Sequence, residues 1–151
     1  MATVILGDLL DRAADFEQRV ERCYTAIREA SPDNGVRLLT YYLARQGRRQ
    51  GQGLEGLDPA QKERIRAVEM ETHIQFEPSR AFHVIDTPPE ALAGITLIDA
   101  AIQYDKQLIT LYRGILQQPL TDEACDLLKT LLEIEERDIV KLETMMATHY
   151  F

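Results

Sequence analysis

Residues 97–112 read LIDAAIQYDKQLITLY, and the fold follows from how this stretch is placed. Leu97, Ile98, Ala101, Leu108, Ile109 and Tyr112 recur at helical spacing, which makes them one face of an amphipathic helix. Asp105 lies at the centre of that face, flanked by Ile98, Ala101, Ile102, Leu108, Ile109 and Tyr112. A solvated carboxylate belongs on the opposite face, and a polar group turned into a core needs a partner. The same arrangement occurs three more times. Glu17 sits among Leu10, Ala13, Val20 and Tyr24. Gln46 follows Leu38, Leu39, Tyr42 and Leu43. Glu135 sits among Leu128, Leu131, Leu132, Ile139 and Leu142.

These four positions form an internal repeat. A shift of 88 residues carries 17 to 105 and 24 to 112, and a shift of 89 carries 46 to 135. Phe16-Glu17 … Tyr24 thus matches Tyr104-Asp105 … Tyr112, and Gln46-x-x-Arg49 matches Glu135-x-x-Asp138. Two helical hairpins joined by a long connection describe an all-α four-helix bundle with one crossover. The first hairpin, A–B, covers about residues 7–50. Helix A ends at the turn Ser31-Pro32-Asp33-Asn34-Gly35, and helix B fades into the glycine-rich stretch 47–56, a mobile connection. A connecting segment covers about 51–88, with a helix from Pro59 to Glu77 opened by Asp58-Pro59. The second hairpin, C–D, covers about 89–148, with a capping start at Thr121-Asp122-Glu123. No period-2 pattern is sustained, so no sheet is expected, and the whole chain, 1–151, reads as a single domain.

This pattern resembles the ferritin-like superfamily, and within it the rubrerythrin-related branch, over about residues 8–146. The resemblance implies a glutamate from each of helices A and C and a Glu-x-x-His from each of B and D, together holding two iron or manganese ions. Glu17 stands in the helix A position and Glu135 in the helix D position. Asp105 stands for the helix C glutamate, one methylene shorter. Gln46 replaces the helix B glutamate, and Arg49 and Asp138 replace the two histidines. Glutamine bridges divalent ions poorly, and arginine cannot ligate.

The expected result is a protein without the usual dinuclear centre, with no cofactor and a structural, sensing or partner-binding role rather than an enzymatic one. In that reading Arg49 forks onto Glu135 or Asp138, while Gln46, Tyr24 and Tyr112 donate to Glu17 and Asp105. The alternative is a reduced ligand set of Glu17, Asp105, Glu135 and Asp138. It would hold a hard ion such as iron or manganese in a metal-storage or oxidoreductase protein. It requires the Arg49 guanidinium to lie outside the centre.

Composition excludes several other classes. A formal net charge of −8 with no basic stripe argues against nucleic acid and anionic membrane surfaces. No apolar run reaches the roughly 20 residues of a membrane helix, and no secretory signal is visible. Cys23 and Cys125 read as reduced structural thiols, which points to the cytoplasm. Met145-Met146 and Tyr150-Phe151 offer apolar groups to a second subunit, and a homodimer is expected. A weaker metal candidate is Glu69, His73 and Glu77, at i, i+4 and i+8 of the connecting helix. No nucleophile–base spacing and no phosphate-binding glycine loop occurs.

Overall fold

The computed structural model describes residues 2–148, and within them all side chains except those of 50–52. Four long helices dominate: α1 (Leu6–Ala30), α2 (Asn34–Glu55), α5 (Gly94–Leu116) and α6 (Asp122–Thr148). Between the pairs run α3 (Pro59–Arg66), the short α4 (Pro78–Ala81) and a 3-10 turn at Pro89–Ala91. Helix α1 pairs with α2 and α5 with α6, and the two hairpins meet chiefly where α2 lies against α6 and α5. The fold is therefore predominantly helical, and no described helix is long and apolar enough to cross a membrane.

Local chemistry sets the boundaries of these helices. Asp33 Oδ1 accepts from the backbone N–H of Gly35 (2.8 Å) and Val36 (3.3 Å), which caps α2. Asp58 accepts from Gln61 N ahead of Pro59 and opens α3 as expected. Thr121 Oγ1 takes the N–H of Ala124 at the start of α6.

Three expectations fail. Helix α2 does not fade at Gly47 but runs through to Glu55. Each glycine costs a helix about 1 kcal/mol relative to alanine, but tertiary packing outweighs propensity. Leu43, Ala44 and Gln46 are buried, Leu54 packs on the core, and Gly53 lies 3.4 Å from Leu131 Cδ2. The connecting helix stops at Arg66 rather than Glu77. A two-stranded antiparallel ribbon also exists: β1 (Ala2–Ile5) pairs with β2 (Glu69–Thr72), with Ile5 opposite Glu69 and Ala2 opposite Thr72. Met70 and Thr72 are buried while Glu69 and Glu71 are exposed, an alternation too short to register as a period.

The ribbon and the crossover fasten the hairpins together. Leu6 N–H donates to Val68 O (2.8 Å). Arg66 grips Asp11 through two 2.8 Å bonds, and Arg64 grips Glu123 at 2.7 and 3.1 Å. Both pairs are exposed, and what they offer is bidentate geometry more than energy. Gly7 sits under this junction. A Cβ there would lie 2.9 Å from the Arg66 carbonyl oxygen, a backbone atom that cannot swing aside. Gly7→Ala is expected to destabilise by about 1–3 kcal/mol, against the gain alanine normally brings to a helix, and a thermal melt reads the sign directly.

Inside, Phe16 of α1 is fully buried and meets Phe76 edge-on at 5.5 Å and Tyr104 at 6.2 Å. Phe82 stacks on Tyr104 at 5.3 Å, and the Tyr104 hydroxyl donates to His83 O at 2.7 Å. The crossover thus supplies aromatic cover to the interface of α1 and α5. The 88-residue repeat is less symmetric in space than in sequence: Leu38 is 69% exposed, whereas its counterpart Leu127 is buried.

Candidate functional site: an interior carboxylate cluster

The structure brings Glu17 of α1, Asp105 of α5, and Glu135 and Asp138 of α6 together. Glu135 is fully buried, and among the described residues its carboxyl oxygens find no donor outside the acid cluster; only the Asp105 carboxyl is placed to share a proton with it. Asp138 is covered as well, with Oδ2 unpartnered, but it lies near the rim, within reach of the charges of Lys141, Arg49 and Arg137. Glu17 and Asp105 are partly covered and line a cavity of about 450 Å³ between α1, α2 and α5. Tyr24 and Gln46 share that cavity wall.

The electrostatics follow from crowding four acids into an apolar interior. Burial disfavours the charged form of every one, and each acid repels the next. Glu17 is pushed up to about 8 by burial and then by Asp105. Asp105 is pushed up to about 7 by burial and then by Asp138. Glu135 lies well above the ordinary carboxylate range, through burial first and then Asp105 and Glu17. Asp138 is also raised by burial, an effect its basic neighbours oppose. Near neutral pH the cluster therefore holds protons.

The surroundings correct the expected hydrogen-bond network. Arg49 is exposed and forms no ion pair with Glu135 or Asp138 among the described residues. It is exposed although α2 continues past it and although Gln46, three residues earlier, is buried. Gln46 is buried, but its Nε2 donates to the Tyr42 hydroxyl at 3.1 Å rather than to an acid. Tyr24 and Tyr112 are buried beside the carboxylates, and burial with the adjacent acids drives both phenols well above their ordinary range. Among the described residues, no hydrogen bond joins either hydroxyl to Glu17 or Asp105. Arg49→Ala is expected to shift unfolding free energy by less than about 0.5 kcal/mol, readable by urea titration, whereas a guanidinium within the cluster would give a several-fold larger loss.

Glu69, His73 and Glu77 do not form a site. Glu69 belongs to β2, the other two lie beyond it in non-helical backbone, and all three are exposed. Extended chain rises about 3.3 Å per residue and separates them, and Glu77 is held instead by Arg12 at 3.1 Å. Cys23 and Cys125 are free thiols, half-buried and unbridged. Met145 and Met146 pack partly on their own core. Tyr150 and Phe151 lie outside the described residues. Sequence reasoning missed Tyr104, whose ring stands 6.4 Å from Tyr24, and the Glu21–Arg48 pair at 3.2 Å across the cavity mouth. Tyr104 adjoins Asp105 and was open to notice. The ion pair joins residues 27 apart on two helices and leaves no local signal.

The donor set tests whether an ion fits. The acids and Gln46 offer only oxygen at the centre, which suits a hard divalent ion. Among the described residues, the Glu135 oxygens and Asp138 Oδ2 find no donor outside the acids themselves, and the Arg49 guanidinium is exposed. Among the described residues, no group of three or more histidines, cysteines, aspartates or glutamates is already drawn into an ion-holding arrangement, so side chains must rotate inward to make one. Searches against protein-family models, curated proteins and solved structures find no match to this chain.

Proposed function

We propose that the protein is a ferritin-like four-helix bundle whose interior acids bind a hard divalent ion, Mn²⁺ or Fe²⁺. The observation carrying this reading is Glu135, a fully buried carboxyl with three further acids around it and, among the described residues, no donor other than the neighbouring acid Asp105. An ionised carboxylate in such a place is costly unless a cation compensates it. Three further features support the reading. The two hairpins pair in the order the repeat requires, Tyr104 and Tyr24 bring α5 and α1 into contact, and Arg49 stands outside.

Glu17, Asp105, Glu135 and Asp138 would hold the ion. When bound, such an ion supplies a fixed positive charge and, for iron, a redox couple. The chain's own contribution is proton exchange. Glu17 and Asp105 hold protons near neutral pH, and these must leave before the oxygens can ligate. Uptake therefore strengthens as pH rises through about 7 to 8. Tyr24 and Tyr112 stay protonated and exclude water from the interior face.

The testing experiment is a titration of chelator-treated protein with Mn²⁺ or Fe²⁺ by calorimetry. Stoichiometric uptake with proton release, lost in Glu135→Ala, supports the reading. Its absence at any pH between about 6 and 8 would overturn it. A second reading is favoured by the lack of a preassembled three-ligand group. Here the same acids remain protonated in a metal-free bundle with a structural or partner-binding role. It predicts no uptake and no proton release.

A further inference from the structure

The cavity between α1, α2 and α5 has a property the ion site does not explain. Gly47 lies in its wall, in the middle of an uninterrupted helix. A Cβ placed there would meet nothing within 4 Å. Close packing therefore does not call for glycine at this position. Neither does the backbone, which is ordinary helix. The missing side chain leaves open a wall of the cavity that Glu17 and Asp105 also line, at a loss of about 1 kcal/mol of helix propensity relative to alanine.

At about 450 Å³ the cavity is of the size that holds small organic ligands. Phe16, Val20, Leu43 and Leu108 give it an apolar body, and the rings of Tyr24 and Tyr104 border it. Its acids are Glu17, Glu21, Glu55 and Asp105. Among the described residues its one base, Arg48, is engaged with Glu21 at 3.2 Å. Glu17 and Asp105 hold protons near neutral pH, and as an ammonium displaces these the lining becomes one that repels anions. Asp105 is partnered only by the Glu135 carboxyl and Glu17 by no described residue, so each has an oxygen open to a further donor. An ammonium brings three donors and a positive charge, and aromatic faces attract it further.

We propose that this cavity is a binding pocket for a small organic ammonium ion with an apolar, preferably aromatic, body. The ammonium engages Glu17 and Asp105 at the polar end, and the body lies against Phe16, Val20 and Leu108. The pocket shares two acids with the ion site, so ion and amine compete. It does not rest on the ion reading, because the apo-protein is competent to bind.

The probe series is phenethylamine, phenethyl alcohol and phenylpropionate, which have nearly one shape and three charges. Each is titrated into chelator-treated protein by calorimetry. Phenethylamine is expected to saturate at one per chain, with the alcohol at least about tenfold weaker, a gap of roughly 1.4 kcal/mol, and the carboxylate without effect. Gly47→Leu fills the opening and weakens phenethylamine at least about tenfold while melting no lower than wild type, and Gly47→Ala binds as wild type does. Asp105→Asn, which keeps the shape, also weakens the amine. Equal binding of all three probes, undiminished binding in Gly47→Leu, or no binding at all overturns the proposal. Ions are absent throughout, so failure of metal uptake leaves this result standing, and the converse holds.

Discussion

Glu135→Leu is expected to make the metal-free protein more stable and to abolish its uptake of divalent ions. The wild-type side chain buries two oxygens whose one partner is another acid, Asp105. Leaving a buried polar group unsatisfied costs about 1–3 kcal/mol. Leucine has nearly the same volume and no such requirement, and Leu128, Leu131, Ile139 and Leu142 already surround the position on its own helix. The gain should appear as about 1–3 kcal/mol in urea, with a rise of roughly 2–4 °C in melting temperature for each kcal/mol in a chain of this size. Glu135→Gln keeps an amide that also lacks a partner, and it gains less. A marked loss of stability in the leucine variant would show that an interior donor other than Asp105 serves Glu135, and with it the case for an ion falls.

The second large effect is a pH dependence of unusual sign. The ordinary values for glutamate and aspartate are 4.5 and 3.8, and in the folded chain Glu17 and Asp105 stand at about 8 and about 7. Between those limits the native state holds protons that the unfolded state has released. Native stability is therefore fully present below the ordinary values and is lost as pH rises towards the folded ones. Each proton so retained contributes a slope of about 1.4 kcal/mol per pH unit over its window. Asp11 and Glu123 are shifted downward by their arginine partners and act the other way. They are exposed, and their influence is confined to more acid conditions. Urea unfolding of chelator-treated protein should thus weaken steadily from about pH 5 to about pH 8, and saturating Mn²⁺ should remove the decline. A stability that is flat or rising over that range would mean the acids are not enclosed together.

Much of this was legible in the residues. The four long helices announce themselves because each carries an apolar stripe at helical spacing over many turns. The acids at 17, 105 and 135 were found by their position on that stripe, since a side chain's face follows from the geometry of the helix alone. Asp138 was found by its spacing from Glu135. What could not be read was where each side chain ends. Arg49 looked inward from its spacing to Gln46, with an early end of the helix as the way out; α2 instead continues, held by its packing against α6, and the guanidinium is exposed all the same. Gln46 chose Tyr42, four residues back on its own helix, over the acids across the bundle. The ribbon was invisible because four residues are too few to establish a period and because its strands come from distant parts of the chain.

That ribbon has a kinetic consequence. Ile5 and Glu69 are 64 positions apart and Ala2 and Thr72 are 70 apart (5 to 69 and 2 to 72), whereas each long hairpin closes through a turn of a few residues. Loop closure grows more costly with separation, and distant pairings assemble after local ones. The ribbon is thus the last seam to knit during refolding. Amide exchange at Val4 and Met70 offers a gauge of how often the two halves of the molecule come apart.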